Sequence, residues 1–214
     1  MNIDEIQEIL KKMKQTSFGI SIPELRIFAK KLAKNDYKIL FNENKFDTFE
    51  MKLLHAFTIG YVNDDIEKLL CYFEKFIPYV NDWAVNDSLC QNFKIARKYP
   101  QHVWKMLMKY KNSKHEFESR IVSVMLLSHF LNDEYIDKVF EILKVLNTDD
   151  YYSQMGVAWA VATAMGKYPE KTLSFLQSGS NNLDKITYNK SLQKIRESLR
   201  VSTKIKELTK IMKK

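Results

Sequence analysis

The chain has 214 residues, of which 45% are hydrophobic and 28% charged, with a formal net charge of +8. That balance excludes a disordered chain, and no apolar run approaches the roughly 20 residues of a membrane-spanning helix. The two cysteines, Cys71 and Cys90, are far apart and form no CxxC pair, so a reduced, cytoplasmic protein without a disulfide framework is expected.

Taken in chain order, the elements are helical throughout. The acidic, amphipathic start MNIDEIQEIL lacks the character of a signal or transit peptide and places Ile3, Ile6, Leu10 and Met13 on one helical stripe. Ser21-Ile-Pro-Glu24 fits a capping box, in which Ser and Glu satisfy opposite orphan backbone donors. Ile66, Leu69, Leu70, Phe73, Phe76 and Ile77 make a second stripe. Pro100 fits a first-turn position, where a missing N–H costs nothing. Ser113-Lys-His-Glu116 fits a second capping box ahead of Phe117, Ile121, Val124, Met125 and Ser128. Ile136, Val139, Phe140 and Leu143 follow, and then Pro169 in a first turn. The connections are short and polar, at 61–64, 131–133 and 147–150, and no alternating strand is evident.

Ala96-Arg-Lys-Tyr-Pro100 recurs as Met165-Gly-Lys-Tyr-Pro169, each joining one helix to another that begins at the proline. A helix, a proline turn and a second helix are the unit of a stacked helix-pair repeat, which in HEAT proteins spans roughly 40 residues. The expected fold is all-α: an α-solenoid of about six or fewer HEAT-like antiparallel helix pairs forming a concave basic groove, with 1–214 as one domain.

The charge is confined to one end. Residues 185–214 hold ten Lys or Arg and two acids, Glu197 and Glu207, which accounts for the whole excess; residues 1–184 are neutral. A basic terminal helix suits an anionic partner, nucleic acid or a membrane surface, or serves only as a solvated face. No phosphate-binding glycine loop and no GxSxG elbow is present. His55, His102, His115 and His129 fall on different helices without HExxH, so they read as surface or satisfied core residues and no metal is expected. Cys90 reads as buried.

What remains is a spaced set. Trp83 and Asp87 lie one helical turn apart, Arg120 follows Trp83 by 37 residues and Trp159 follows Arg120 by 39. With a repeat near that length they occupy equivalent positions on three successive helices, and such positions stack along one surface. Singly, Trp83 reads as core, Arg120 as a side chain snorkelling out of a packed helix, and Trp159, among small residues, as helix packing.

The pattern resembles the HEAT-like-repeat DNA alkylation-repair glycosylases, the AlkD family. The resemblance covers most of the chain. It rests on Phe18-Gly-Ile-Ser-Ile-Pro-Glu-Leu-Arg26, Asp82-Trp83-Ala-Val-Asn-Asp87, Ser119-Arg120-Ile-Val, Gly156-Val-Ala-Trp159-Ala and the basic C-terminal helices, in that order.

The resemblance implies a monomeric protein acting on double-stranded DNA, with no cofactor, no metal and no membrane. It implies hydrolysis of the N-glycosidic bond of cationic N-alkylated purines, of the 3-methyladenine and 7-methylguanine type, without a base-flipping pocket. Asp87 then matches the catalytic carboxylate, Trp83 and Trp159 the aromatic pair at the deoxyribose, and Arg120 the residue beside the DNA backbone. Lys190, Lys194, Arg196 and Arg200 are the expected phosphate contacts of the basic tail. The segment before Gly19 is short for an active member and has no Tyr or Trp in Leu10–Lys14; Ala84 and Asn86 also depart from the pattern. Two alternatives stay open: a HEAT-like protein that binds damaged, bent or branched DNA without excision, and a protein-interaction scaffold.

Overall fold

The structure, a computed structural model, describes residues 1–14, 19–43 and 45–213. Phe18, which opens the Phe18–Arg26 stretch, lies outside the described residues. Among the described residues there are thirteen α-helices, two short 3-10 turns and no strand. The all-α class is therefore as expected, and the helices pack as pairs in the manner of a solenoid. The chain forms two compact units, Met1–Val103 and Trp104–Lys214.

The first unit holds α1 (Ile3–Met13), α2 (Ile22–Asn35), α3 (Tyr37–Asn42), α4 (Phe49–Tyr61), α5 (Ile66–Phe76) and α6 (Trp83–Asn92). The boundary between the units falls inside α7 (Pro100–Met108). The predicted capping box at α2 forms: Glu24 N donates to Ser21 Oγ and Ser21 N to the Glu24 carboxylate. Gly19, just ahead, has φ +79°, a left-handed conformation that glycine adopts without steric cost.

Helix α4 packs between α2 and α6 and is buried nearly all round, through Met51, Leu53, Leu54, Ala56, Phe57 and Ile59. Each such side chain contributes about 1.5–3 kcal/mol of transfer free energy. His55 is buried in the same helix, 3% exposed, against the rings of Phe41, Phe46 and Phe76 at 4.7, 4.9 and 4.3 Å. Burial pushes its pKa down to about 3, so the ring is neutral. It is a core histidine, but its Nδ1 finds no hydrogen-bond partner among the described residues.

The second unit continues with α8 (Glu116–His129), α9 (Ile136–Leu143), α10 (Tyr151–Lys167), α11 (Pro169–Gln177), α12 (Lys185–Glu197) and α13 (Thr203–Ile211). Pro100 and Pro169 open α7 and α11, as their first-turn reading required. Helix α10 packs between α8 and α12 and is rich in small residues, with Gly156, Ala158, Ala160, Ala162 and Ala164 all buried. A Cβ at Gly156 would run into Ser123 Oγ of α8, so the close α8–α10 approach depends on glycine there.

The second predicted capping box does not form. Helix α8 starts at Glu116 with His115 as its N-cap, and Ser113 Oγ accepts from His115 N instead. The Glu116 carboxylate is taken by the backbone N–H of Tyr152, 2.6 Å away in the first turn of α10. That donor has no partner within its own helix, and the tertiary acceptor wins over the local box.

The repeat is also shorter than the 37- and 39-residue spacings imply. Hydrogen bonds between successive helix pairs join residues 32 to 36 apart, several of them 35 or 36. In the first unit Asn92 Nδ2 donates to the Phe57 carbonyl across 35 residues. In the second, Tyr152 N reaches Glu116, Thr148 reaches Asp184 and Lys167 reaches the Leu131 carbonyl, each across 36. With a 36-residue repeat in the second unit, Arg120 on α8 corresponds to Gly156 on α10, so Trp159 lies three residues past that position and the two are not equivalent.

Candidate functional site

The first unit carries Trp83 and Asp87 on α6. Asp82 caps that helix by accepting from Ala84 N at 2.7 Å, which sets Trp83 at its first position. The Trp83 indole is 51% exposed, so it is not a core residue. One turn on, Asp87 is only 9% exposed, an acid in a largely dry setting. The side-chain amide of Asn86 donates to Asp87 Oδ1 at 3.2 Å. Asn86 therefore has a use that its departure from the family pattern did not suggest.

The far end of α6 is fixed by α2 and α4. Arg26 Nη1 donates to the Tyr61 hydroxyl at 2.9 Å and to Asn92 Oδ1 at 3.1 Å, and its guanidinium lies 4.2 Å above the Phe57 ring. Asn92 Nδ2 in turn holds the Phe57 carbonyl. Gly60 permits this approach, since a Cβ there would lie 2.5 Å from Asn92 Nδ2 and from its carbonyl oxygen. Sequence reasoning singled out Arg26 only as part of a motif and passed over Asn92 and Gly60. A buried Asn and a glycine inside a helix were the available signals.

The second unit carries Arg120 on α8 and Trp159 on α10, two helices in direct contact. Arg120 does not snorkel: it is 5% exposed and donates from Nη1 to the Tyr152 carbonyl at 2.8 Å, with the Tyr152 ring 6.0 Å from its guanidinium carbon. Together with Glu116, it clamps both backbone groups of Tyr152. Trp159 is half-buried.

The basic residues differ in kind. On α12, Lys190 and Lys194 are half-buried, and Lys190 Nζ lies 3.4 Å from Gln193 Oε1. Arg196 is also half-buried and donates to the Thr209 carbonyl at 3.3 Å, so part of its guanidinium fastens α13. Arg200 is exposed. Two hollows lie away from all of these residues. One of about 300 Å³ is lined by Gln7, Leu10, Lys14, Glu50 and Met51, and one of about 230 Å³ by Phe140, Lys144, Lys171 and Phe175. No group of three or more His, Cys, Asp or Glu able to hold a metal occurs among the described residues.

The family model of the DNA alkylation repair enzymes matches residues 2–195. The chain belongs to the DNA alkylation repair enzyme family. Membership supports repair of alkylation damage with DNA as the partner. The match spans α1 to α11 and most of α12, including Trp83, Asp87, Arg120 and Trp159, and stops short of Arg196, Arg200 and α13. No curated protein and no solved structure gives a match to the chain. No helix among the described residues is long and apolar enough to cross a membrane.

Proposed function

We propose that this DNA alkylation repair protein is a monofunctional glycosylase. It hydrolyses the N-glycosidic bond of cationic N-alkylated purines, of the 3-methyladenine and 7-methylguanine type, in duplex DNA and without a base-flipping pocket. The observation that carries the proposal is a mostly buried carboxylate, Asp87, one turn from an exposed indole, Trp83, in a chain of the alkylation repair family.

The chemistry suits those side chains. An alkylated purine is already cationic and leaves without being protonated. Bond breaking moves positive charge onto the deoxyribose, as in other glycoside hydrolyses. Asp87, oriented by Asn86, stabilises that oxocarbenium and holds the attacking water. Trp83 and Trp159 face the cationic sugar with their ring quadrupoles, worth about 0.5–2 kcal/mol each. Arg120 stands beside the DNA backbone. Lys190, Lys194, Arg196 and Arg200 neutralise phosphates, with Arg196 giving only the donors that Thr209 leaves over. The proposal takes 1–214 as one repeat domain that works as a monomer, with neither metal nor cofactor.

The test is release of 7-methylguanine and 3-methyladenine from methylated duplex at enzyme excess. The folded wild-type protein should release both. Asp87→Asn should lower the single-turnover rate by about 10²–10³-fold, the usual cost of removing one preorganised electrostatic partner, while duplex affinity stays the same. No release by the wild type would defeat the proposal, and an equally active Asp87→Asn would remove the acid from its role.

A further inference from the structure

The family match ends at residue 195, yet the chain goes on through Arg196, a turn and α13. Those last nineteen residues, 196–214, contain seven Lys or Arg and two acids, which is +5 of the molecule's +8. Residues 185–195 supply the other +3, and everything before is neutral. The segment is not a loose tail. Val201 and Thr209 are buried, Ser202 caps α13 through Ile205 N, and Arg196 holds the Thr209 carbonyl from α12. The charged helix α13 is thus fastened to α12 by a cation of that helix, Arg196.

The remaining cations face outward. Lys206 and Lys210 stand one turn apart on α13, and Lys213 follows its C-cap Met212. Lys210 and Lys213 are exposed and Lys206 is half-buried. Among the described residues of this set, Lys210 alone pairs with a carboxylate, Glu207 at 2.7 Å. Among the described residues Arg200, Lys204, Lys206 and Lys213 make no ion pair. From Lys206 to Lys213 the chain advances about 10 Å at helical rise. Duplex DNA presents about one negative charge per 1.7 Å of its axis, so three lysines over that span meet a dense row of phosphates.

We propose that residues 196–214 are a lesion-independent anchor for the phosphates of duplex DNA, with Lys206, Lys210 and Lys213 as its contacts and Arg196 as the residue that positions it. The partner is committed as DNA because the family's partner is DNA and the tail's charge complements it; the inference rests on that reading and not on excision. The anchor adds affinity for undamaged and damaged duplex alike. It leaves the bond-breaking step unchanged, since no residue of the tail is assigned to the reacting sugar.

The test is binding of an undamaged duplex over a range of salt by the full-length wild type and by Lys206→Gln/Lys210→Gln/Lys213→Gln. The substitutions should reduce the slope of log affinity against log salt by about 2 to 3 and weaken binding at least about tenfold near 0.1 M salt. A control of equal charge loss elsewhere in the second unit, Lys138→Gln/Lys144→Gln/Lys171→Gln, should leave the slope unchanged. The single-turnover excision rate at saturating protein should be the same in all three proteins. An unchanged slope in the α13 variant overturns the anchor, and so does an equal loss in the control. Binding to vesicles of anionic lipid that falls with these substitutions while duplex binding does not would overturn it in favour of a membrane surface. If the wild type releases no base yet the slope change is seen, the anchor stands and the glycosylase proposal falls.

Discussion

At the scale of single residues, burial decides which polar groups have work to do. Asn86 is fully buried, its Oδ1 has no partner among the described residues, and its Nδ2 donates to Asp87 Oδ1 and, more weakly, to Cys90 Sγ. A buried amide used on one side only is poorly explained by stability, because the unpaired oxygen is itself a cost of about 1–3 kcal/mol. Asn86→Ala should therefore change the melting temperature little and slow excision by about tenfold, the value of one lost hydrogen bond to a charged group. Measured melting and single-turnover rates separate these effects; an unaltered rate would make the contact incidental. His55 gives a second test. Its pKa is about 3 folded and near 6.5 when exposed, so the unfolded chain binds the extra proton. Stability is then complete above about pH 6.5 and falls as pH drops toward 3, by about 1.4 kcal/mol per unit from this residue. Urea unfolding at pH 7 and 4.5 should show His55→Phe, which keeps a ring among Phe41, Phe46 and Phe76, losing about 2 kcal/mol less than wild type. Equal losses would assign the acid sensitivity elsewhere. The sequence showed that Trp83 and Asp87 share a helical face and that Cys90 is apolar in habit. It could not show that Asn86 turns to Asp87 or that Arg120 turns to a backbone carbonyl, because both depend on packing rather than on spacing.

At the scale of the elements, close helix packing in each unit depends on one glycine. Gly60 of α4 meets Asn92 of α6, and Gly156 of α10 meets Ser123 and Arg120 of α8. Gly156→Ala must push α8 and α10 apart or displace the Arg120 stem, and overpacking of this kind costs about 1–3 kcal/mol. Because the same change moves the helix that carries Arg120 against the one that carries Trp159, excision should fall along with the melting temperature. A variant as stable and active as wild type would mean that Ser123 yields without cost. The starts of α2, α7 and α11 were legible, since Ser21, Pro100 and Pro169 act locally. The box at Ser113 was not, because Glu116 answers a donor 36 residues away that no local pattern reveals. The repeat length was legible and misread. The two copies of Lys-Tyr-Pro stand 69 residues apart, which is two repeats of about 35, close to the 35- and 36-residue contacts, rather than one and a fraction of 40.

At the scale of the whole molecule, the fold class followed from helical periodicity and the helix–proline–helix repeat, whereas the substrate class depends on what the chain offers to a leaving group. A neutral base is a poor leaving group, and its departure from deoxyribose needs a group that protonates it or stabilises its developing negative charge. Among the groups assigned to the reaction there is a carboxylate, two indoles and a guanidinium, and none is placed as a proton donor to the base. His55, whose pKa burial pushes down to about 3, is sealed among phenylalanines and stays neutral. Under the proposed assignment, Asp87 and the two indoles stabilise a cationic sugar, and no assigned group assists departure of an uncharged base. Lesions that carry their own positive charge should be released, and duplexes bearing uracil or hypoxanthine should show rates at least about 10²-fold lower, the lower end of what a positioned general acid supplies. The comparison is a single-turnover assay on matched duplexes that differ only in the lesion. Comparable rates on a neutral base would require a group that protonates it or stabilises it as an anion, and with it a different assignment of the site.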